Sequence, residues 1–264
     1  MAAFIFATQA INFPVAGGTS GHLLSGALAA AVLGPWSVVL VMTAVISLQA
    51  LLFKDGGLLV MGWNIVNMGV ITALIGAVVY SFAPILIRSQ RTALIIAGAA
   101  AAWISVEASA VATAMELAVS GAPLQLALPA LAGVHALTGA GEAVITVGAL
   151  RLIFSTQPDI LAKGDMASGR GSATWMGAGL IIAIIVAGLS FAASGSPDGL
   201  ERFAEETGFI ARALDPLYTI LPDYTIPFIR NEAAAGIMAV IIGTLLIFGL
   251  AYLAGHLAKR LRRA

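Results

Sequence analysis

Residues 22–53 read HLLSGALAAAVLGPWSVVLVMTAVISLQALLF, with no Asp, Glu, Lys or Arg in the run. About 20 apolar helical residues cross the ~30 Å hydrocarbon core of a bilayer, so this stretch is long enough for a membrane and too long for one straight span. Leu33-Gly34-Pro35-Trp36 breaks it, because proline lacks the N–H that continues a helix and its ring clashes with the preceding turn. The stretch predicts a short helix over 22–33, a turn, and a second helix from about Pro35. The first piece rises only about 18 Å. Protein or a water-filled cavity must cover its start, since lipid satisfies no free backbone group.

Outward from this stretch, further apolar blocks occupy roughly 1–13, 65–87, 92–119, 124–155, 174–194 and 231–256. The 264 residues are 60% hydrophobic and 10% charged, whereas a soluble domain carries roughly 25% charged residues. A water-facing globule is excluded, and the fold class is all-α, a polytopic transmembrane helical bundle. Thirteen Lys+Arg balance thirteen Asp+Glu, so bulk charge gives no reason to expect a nucleic-acid partner; the chain's surroundings are membrane lipid. With no cysteine, disulfides, thiolate metal sites and thiol catalysis are excluded. Any transition metal must take nitrogen and oxygen ligands.

The basic residues set an orientation. Lys259, Arg260, Arg262 and Arg263 follow the last apolar block and place the C-terminus in the cytoplasm. Counting back, the loops with Lys163 and Arg170, and with Arg88 and Arg91, fall inside. Loops 14–21, 54–64, 120–123 and 195–230 fall outside, the last rich in acids. The same count makes 1–13 a span that begins inside at Met1 with no basic flank, so it does not read as a signal peptide, and a further upstream segment is expected.

Polar residues within apolar blocks are costly and are functional candidates by default. Asn12-Phe13-Pro14-Val15-Ala16-Gly17-Gly18-Thr19-Ser20-Gly21-His22 is a glycine-rich loop leading into His22, predicted to stand in the first turn of a helix at the outer face. There the positive helix end favours a neutral imidazole, the form that binds metal; a structural cap is the competing reading. No lysine follows these glycines, so a phosphate-binding loop is not indicated; if the protein performs active transport, its energy comes from a partner or an ion gradient. His135, about 17 Å along its helix, reaches the cavity of His22 if that cavity runs deep. Glu142, two turns on, shares its face; both read as structural or supporting groups. Gln49, Asn64 and Asn67 flank the Lys54-Asp55-Gly56-Gly57 loop and satisfy backbone or support a ligand. Ser20 belongs to the glycine-rich loop and Glu116 lies near the outer end of its block, where water reaches it, while Glu107 pairs or stays protonated. An intramembrane enzyme using His135 and Glu142 as an acid–base pair lacks a nucleophile.

The motifs Ile11-Asn-Phe-Pro-Val-Ala-Gly-Gly-Thr-Ser-Gly-His22, Leu33-Gly-Pro-Trp36, Gln49-Ala-Leu-Leu-Phe-Lys-Asp-Gly-Gly57, Asn64-Ile-Val-Asn-Met-Gly69 and Gly133-Val-His-Ala-Leu-Thr-Gly-Ala-Gly-Glu142 resemble the CbiM/NikM family. These are the substrate-capture components of energy-coupling factor transporters for cobalt and nickel. Pro197-Asp-Gly-Leu-Glu201, Ala204-Glu205, Gly208-Phe209 and Pro222-Asp-Tyr224 are similar to the PDGLE domain, related to the NikN accessory component. A capture domain over 1–173 and a PDGLE module over 174–264 are expected.

The resemblance implies Ni(II) or Co(II) as cargo and no permanently bound cofactor. It also implies a CbiQ/NikQ-like transmembrane scaffold and CbiO/NikO-like ATPase subunits as partners, with no bond chemistry in this chain. In the family the metal is held by the N-terminal amine, a histidine at the second position and the histidine of the glycine-rich loop. Only the last, His22, has a counterpart here, since Ala2 stands at the second position. The resemblance thus implies that the family's first span and metal-binding segment precede Met1. A non-transporting assembly or accessory role is the alternative.

Overall fold

The computed structural model describes residues 1–156, 173–214, 216 and 218–261. The loop carrying Lys163 and Arg170, the 173/174 boundary's upstream flank, and Arg262 and Arg263 lie outside the described residues.

The chain opens with α1, Ala2–Gln9, followed by a short hairpin of β1, Phe13–Pro14, and β2, Ser20–Gly21. The strands are antiparallel, pairing Phe13 with Gly21 and Pro14 with Ser20. Gly17 and Gly18 turn the hairpin with φ of +73° each, a region that glycine enters without steric cost. Helix α2 covers Gly26–Leu33. Gly34 has φ +75° and α3 begins at Pro35, as the Gly-Pro break predicts, because proline's missing N–H costs nothing at a helix start.

α3 runs Pro35–Leu48 and widens into a π turn over Gln49–Phe53. α4 spans Met61–Leu86, with a π segment at Ile65–Ile71. α5, Gln90–Val119, and α6, Leu124–Thr156, form an antiparallel hairpin. The second module contributes α7, Ala173–Gly188, the short α8, Gly199–Glu206, and α9, Glu232–Leu261. Among the described residues, six helical stretches are long and apolar enough to cross a membrane: α3 with its π turn, α4, α5, α6, Trp175–Ala192 and α9. Their outward side chains are apolar, with Leu40, Leu86 and Val144 among the most exposed, as expected where lipid is the solvent.

Within residues 1–13, α1 covers Ala2–Gln9 and the hairpin begins at Phe13. One expectation changes. The 22–33 helix begins four residues late, at Gly26, so His22 is not in a first helical turn. The reason is tertiary. Both carboxylate oxygens of Glu142 on α6 accept the backbone N–H groups of Leu24 (2.6 Å) and Ser25 (2.8 Å), and Ser25 takes φ +60°. A carboxylate from a distant helix holds this segment open.

The two modules share one core. Phe6 of α1 packs on Phe53 at 5.4 Å between ring centroids, and Ala183 of α7 and Val240 and Ile247 of α9 belong to the same buried cluster as Met42 of α3. The PDGLE-like segment also docks by backbone bonds. Ser20 N donates to Pro197 O (2.8 Å), Ser194 N to Asn12 O (2.7 Å), and Leu221 N to Leu52 O (2.9 Å). The second module thereby extends the hairpin and closes over that end of the bundle.

Candidate functional site

The hairpin ends at Gly21, whose missing side chain lets the strand press on Thr138 of α6, where an added Cβ would lie 3.1 Å from Thr138 Cγ2. That contact sets His22, the next residue, at the wall of a cavity of about 190 Å³. Ser20, Gln49, Asn64, Asn67 and His135 line the same cavity. An adjoining recess of about 320 Å³ shares His22 with it and is lined by Asn12, Lys54, Asp223 and Tyr224. Asp55 and Asp198 face both, and carboxylates at such a mouth raise the local concentration of cations.

Each polar group has a defined setting. His22 Nδ1 is buried with no hydrogen-bond partner among the described residues. His135 Nδ1 lies 2.8 Å from Leu131 O; a carbonyl only accepts, so Nδ1 carries the hydrogen and a neutral ring leaves Nε2 as its bare nitrogen. Asn67 Nδ2 donates to Thr113 Oγ1 (3.2 Å) and to Glu116 Oε2 (3.1 Å), which places Glu116 behind Asn67 rather than on the cavity wall. Asn64 Nδ2 reaches Gly56 O at 3.5 Å, on the loop it follows. Ser20 Oγ donates to Ser196 O (2.8 Å). Glu142 is 1% exposed and is spent on Leu24 and Ser25. Glu107 lies away from this cavity with Oε1 unpartnered among the described residues.

The second module supplies the rim. Asp198 caps α8 by accepting Glu201 N (2.8 Å), while Gly199 lies against Val134 and His135, where an added Cβ would be 3.4 and 3.6 Å away. Tyr224 bridges the modules. Its hydroxyl donates to Asp55 Oδ2 (2.6 Å) and accepts from Gln49 Nε2 (3.1 Å), with its ring stacked 4.7 Å from Phe53. Burial, then the adjacent Asp55 carboxylate, push the Tyr224 phenol well above its ordinary pKa, so it remains a donor at physiological pH.

Gln9, Asp55 and Asp198 were not singled out by reading the sequence. Gln9 carried the same signal as Gln49, a lone amide in an apolar block; Asp55 and Asp198 sit in loops, where a carboxylate is ordinary. Among the described residues, no three His, Asp or Glu side chains group as a metal cage.

The fold is that of a polytopic membrane protein with an imidazole-bearing polar cavity at its hairpin end. Residues 1–160 match the family described as cobalt uptake substrate-specific transmembrane region, CbiM, and residues 173–260 match the PDGLE domain. The chain belongs to the CbiM family and carries a PDGLE domain behind it. It is 30% identical to the fused nickel transport protein NikMN of Rhodobacter capsulatus, over 100% of this chain and 87% of that one. An Archaeoglobus fulgidus chain named for the same fusion is 33% identical over 96% of this chain and 83% of its own. A crystal structure of a transition metal transporter superposes with a TM-score of 0.51 at 32% identity, covering 58% of this chain and 73% of that chain.

Proposed function

We propose that this chain is the substrate-specific membrane component of an ATP-driven energy-coupling factor transporter that imports Ni(II) or Co(II). The observation that carries the reading is His22, a cavity-lining residue whose Nδ1 is buried without a hydrogen-bond partner among the described residues. An imidazole nitrogen is a strong ligand for both ions, and a buried polar nitrogen left unpartnered is costly. The family description and the names of the relatives support a metal cargo. The chain has no nucleotide-binding loop, so a CbiQ/NikQ-like scaffold and CbiO/NikO-like ATPases supply the stroke. The hairpin end faces outward and the C-terminus faces the cytoplasm, following the basic residues after α9. The capture domain ends near residue 173 and the PDGLE module follows.

The test is uptake of radioactive nickel by cells that express this chain with its scaffold and ATPases. His22→Ala is expected to reduce uptake to background while the protein stays at wild-type level in the membrane. Uptake surviving that change would overturn the assignment.

A further inference from the structure

Helices α5 and α6 carry three carboxylates, and two of them are engaged. Glu116 accepts from Asn67, and Glu142 from Leu24 and Ser25. Glu107 accepts from no described residue: Oε1 is enclosed without a partner, while Oε2 keeps open surface on a half-buried side chain. It stands about 26 Å from the Gln90 end of α5 and about 18 Å from the Val119 end, too deep for a short side chain to reach either headgroup region. The carboxyl belongs to the outward stripe of the helix, since Trp103, Ile104, Val111 and Met115, which share its face, are all exposed. The cavity wall is made instead by Val106, Ser109 and Thr113.

The surface beside Glu107 is low. Trp103 Nε1 donates to Ala136 O (3.1 Å) across the seam between the two helices. Because they run antiparallel, the turn of α6 beside Glu107 is the one holding Ala132 and Gly133, and a Cβ on Gly133 would meet nothing within 4 Å. Ala108 and Ala112 flank the carboxyl on α5. Small residues around a polar one let a neighbouring helix approach closely and bond to it inside a membrane.

An unpaired carboxylate at this depth is costly, and a basic side chain offsets the cost. This chain offers none: no Lys or Arg occurs within 22–53, 65–87, 92–119, 124–150, 174–194 or 231–256. A second copy therefore brings no basic group to mid-membrane, and meeting through the same face it would set two carboxyls together, which disfavours ionising either. We infer that the α5–α6 face centred on Glu107 is an interface with a different membrane subunit, one whose transmembrane helix presents an Arg or Lys side chain to this carboxylate. The inference rests on the reading of this chain as one component of a transporter, and it names the face on which the membrane scaffold docks.

The test co-expresses the tagged full chain with the CbiQ/NikQ-like scaffold and purifies it in mild detergent. A photoreactive residue at Val111, one turn from Glu107, is expected to form an adduct with the scaffold; an adduct with a second copy of this chain, or with no protein, would overturn the inference. Glu107→Gln and Glu107→Leu are each expected to lower the scaffold held per chain at least about tenfold, because either leaves the partner's buried charge unpaired. Both remain at wild-type level in the membrane, where an uncharged side chain is the easier one to insert. Scaffold held by Glu107→Gln as well as by wild type would overturn the charge pairing, and scaffold held equally by both variants and wild type would overturn this inference alone. A wild-type chain that holds no scaffold would overturn the transporter-component reading along with it.

Discussion

Glu142 shows how one side chain decides where function sits. A buried carboxylate is expensive, and here two backbone N–H groups offset that cost, keeping residues 22–25 out of the helix that hydropathy favours. Glu142→Gln replaces one acceptor with a donor facing an N–H. It is expected to cost about 1–3 kcal/mol, seen as a lower midpoint in thermal unfolding of the detergent-solubilised protein, and to reduce nickel uptake by displacing His22. An unchanged midpoint would contradict this role. The glycine-rich loop, His22 and its cavity neighbours Gln49, Asn64 and Asn67 were legible as isolated polar groups in apolar blocks. That Glu142 works on Leu24 and Ser25 was not, because the contact joins residues more than a hundred positions apart.

Close contact between elements depends on small residues. On α9, a Cβ at Gly243 would run into the Phe6 ring and lie 2.9 Å from Phe53 Cζ, whereas Gly249 has open space. Alanine favours a helix over glycine by about 1 kcal/mol, so Gly249→Ala is expected to leave stability unchanged or slightly raised. Gly243→Ala is expected to lower it, since overpacking costs about 1–3 kcal/mol. Thermal unfolding of both variants checks the difference, and equal midpoints would contradict the packing of α1 on α9. The break at Gly34-Pro35 and the long helices could be read from local chemistry alone. The end of α1 at Gln9 could not, because hydropathy does not show that the apolar block gives way to a hairpin. Nor could the seating of Pro197 and Asp198 on Ser20, which depends on backbone groups that carry no sequence signature.

At the scale of the whole molecule, the two modules form one body with the PDGLE segment closing the cavity end, so a break between them in sequence is not a break in packing. The natural chain has no cysteine, which makes its topology directly measurable. A cysteine placed at Glu205 is expected to react with a membrane-impermeant maleimide in intact cells, and one at Ala258 only after permeabilisation. The reverse pattern would invert the orientation drawn from the basic residues. The account as a whole turns on metal meeting His22 in that cavity. Nickel-edge X-ray absorption on the metal-loaded full chain measures this contact itself. Imidazole scattering in the wild type that falls by one ligand in His22→Ala is the expected result, and an imidazole count identical in the two proteins would contradict the account.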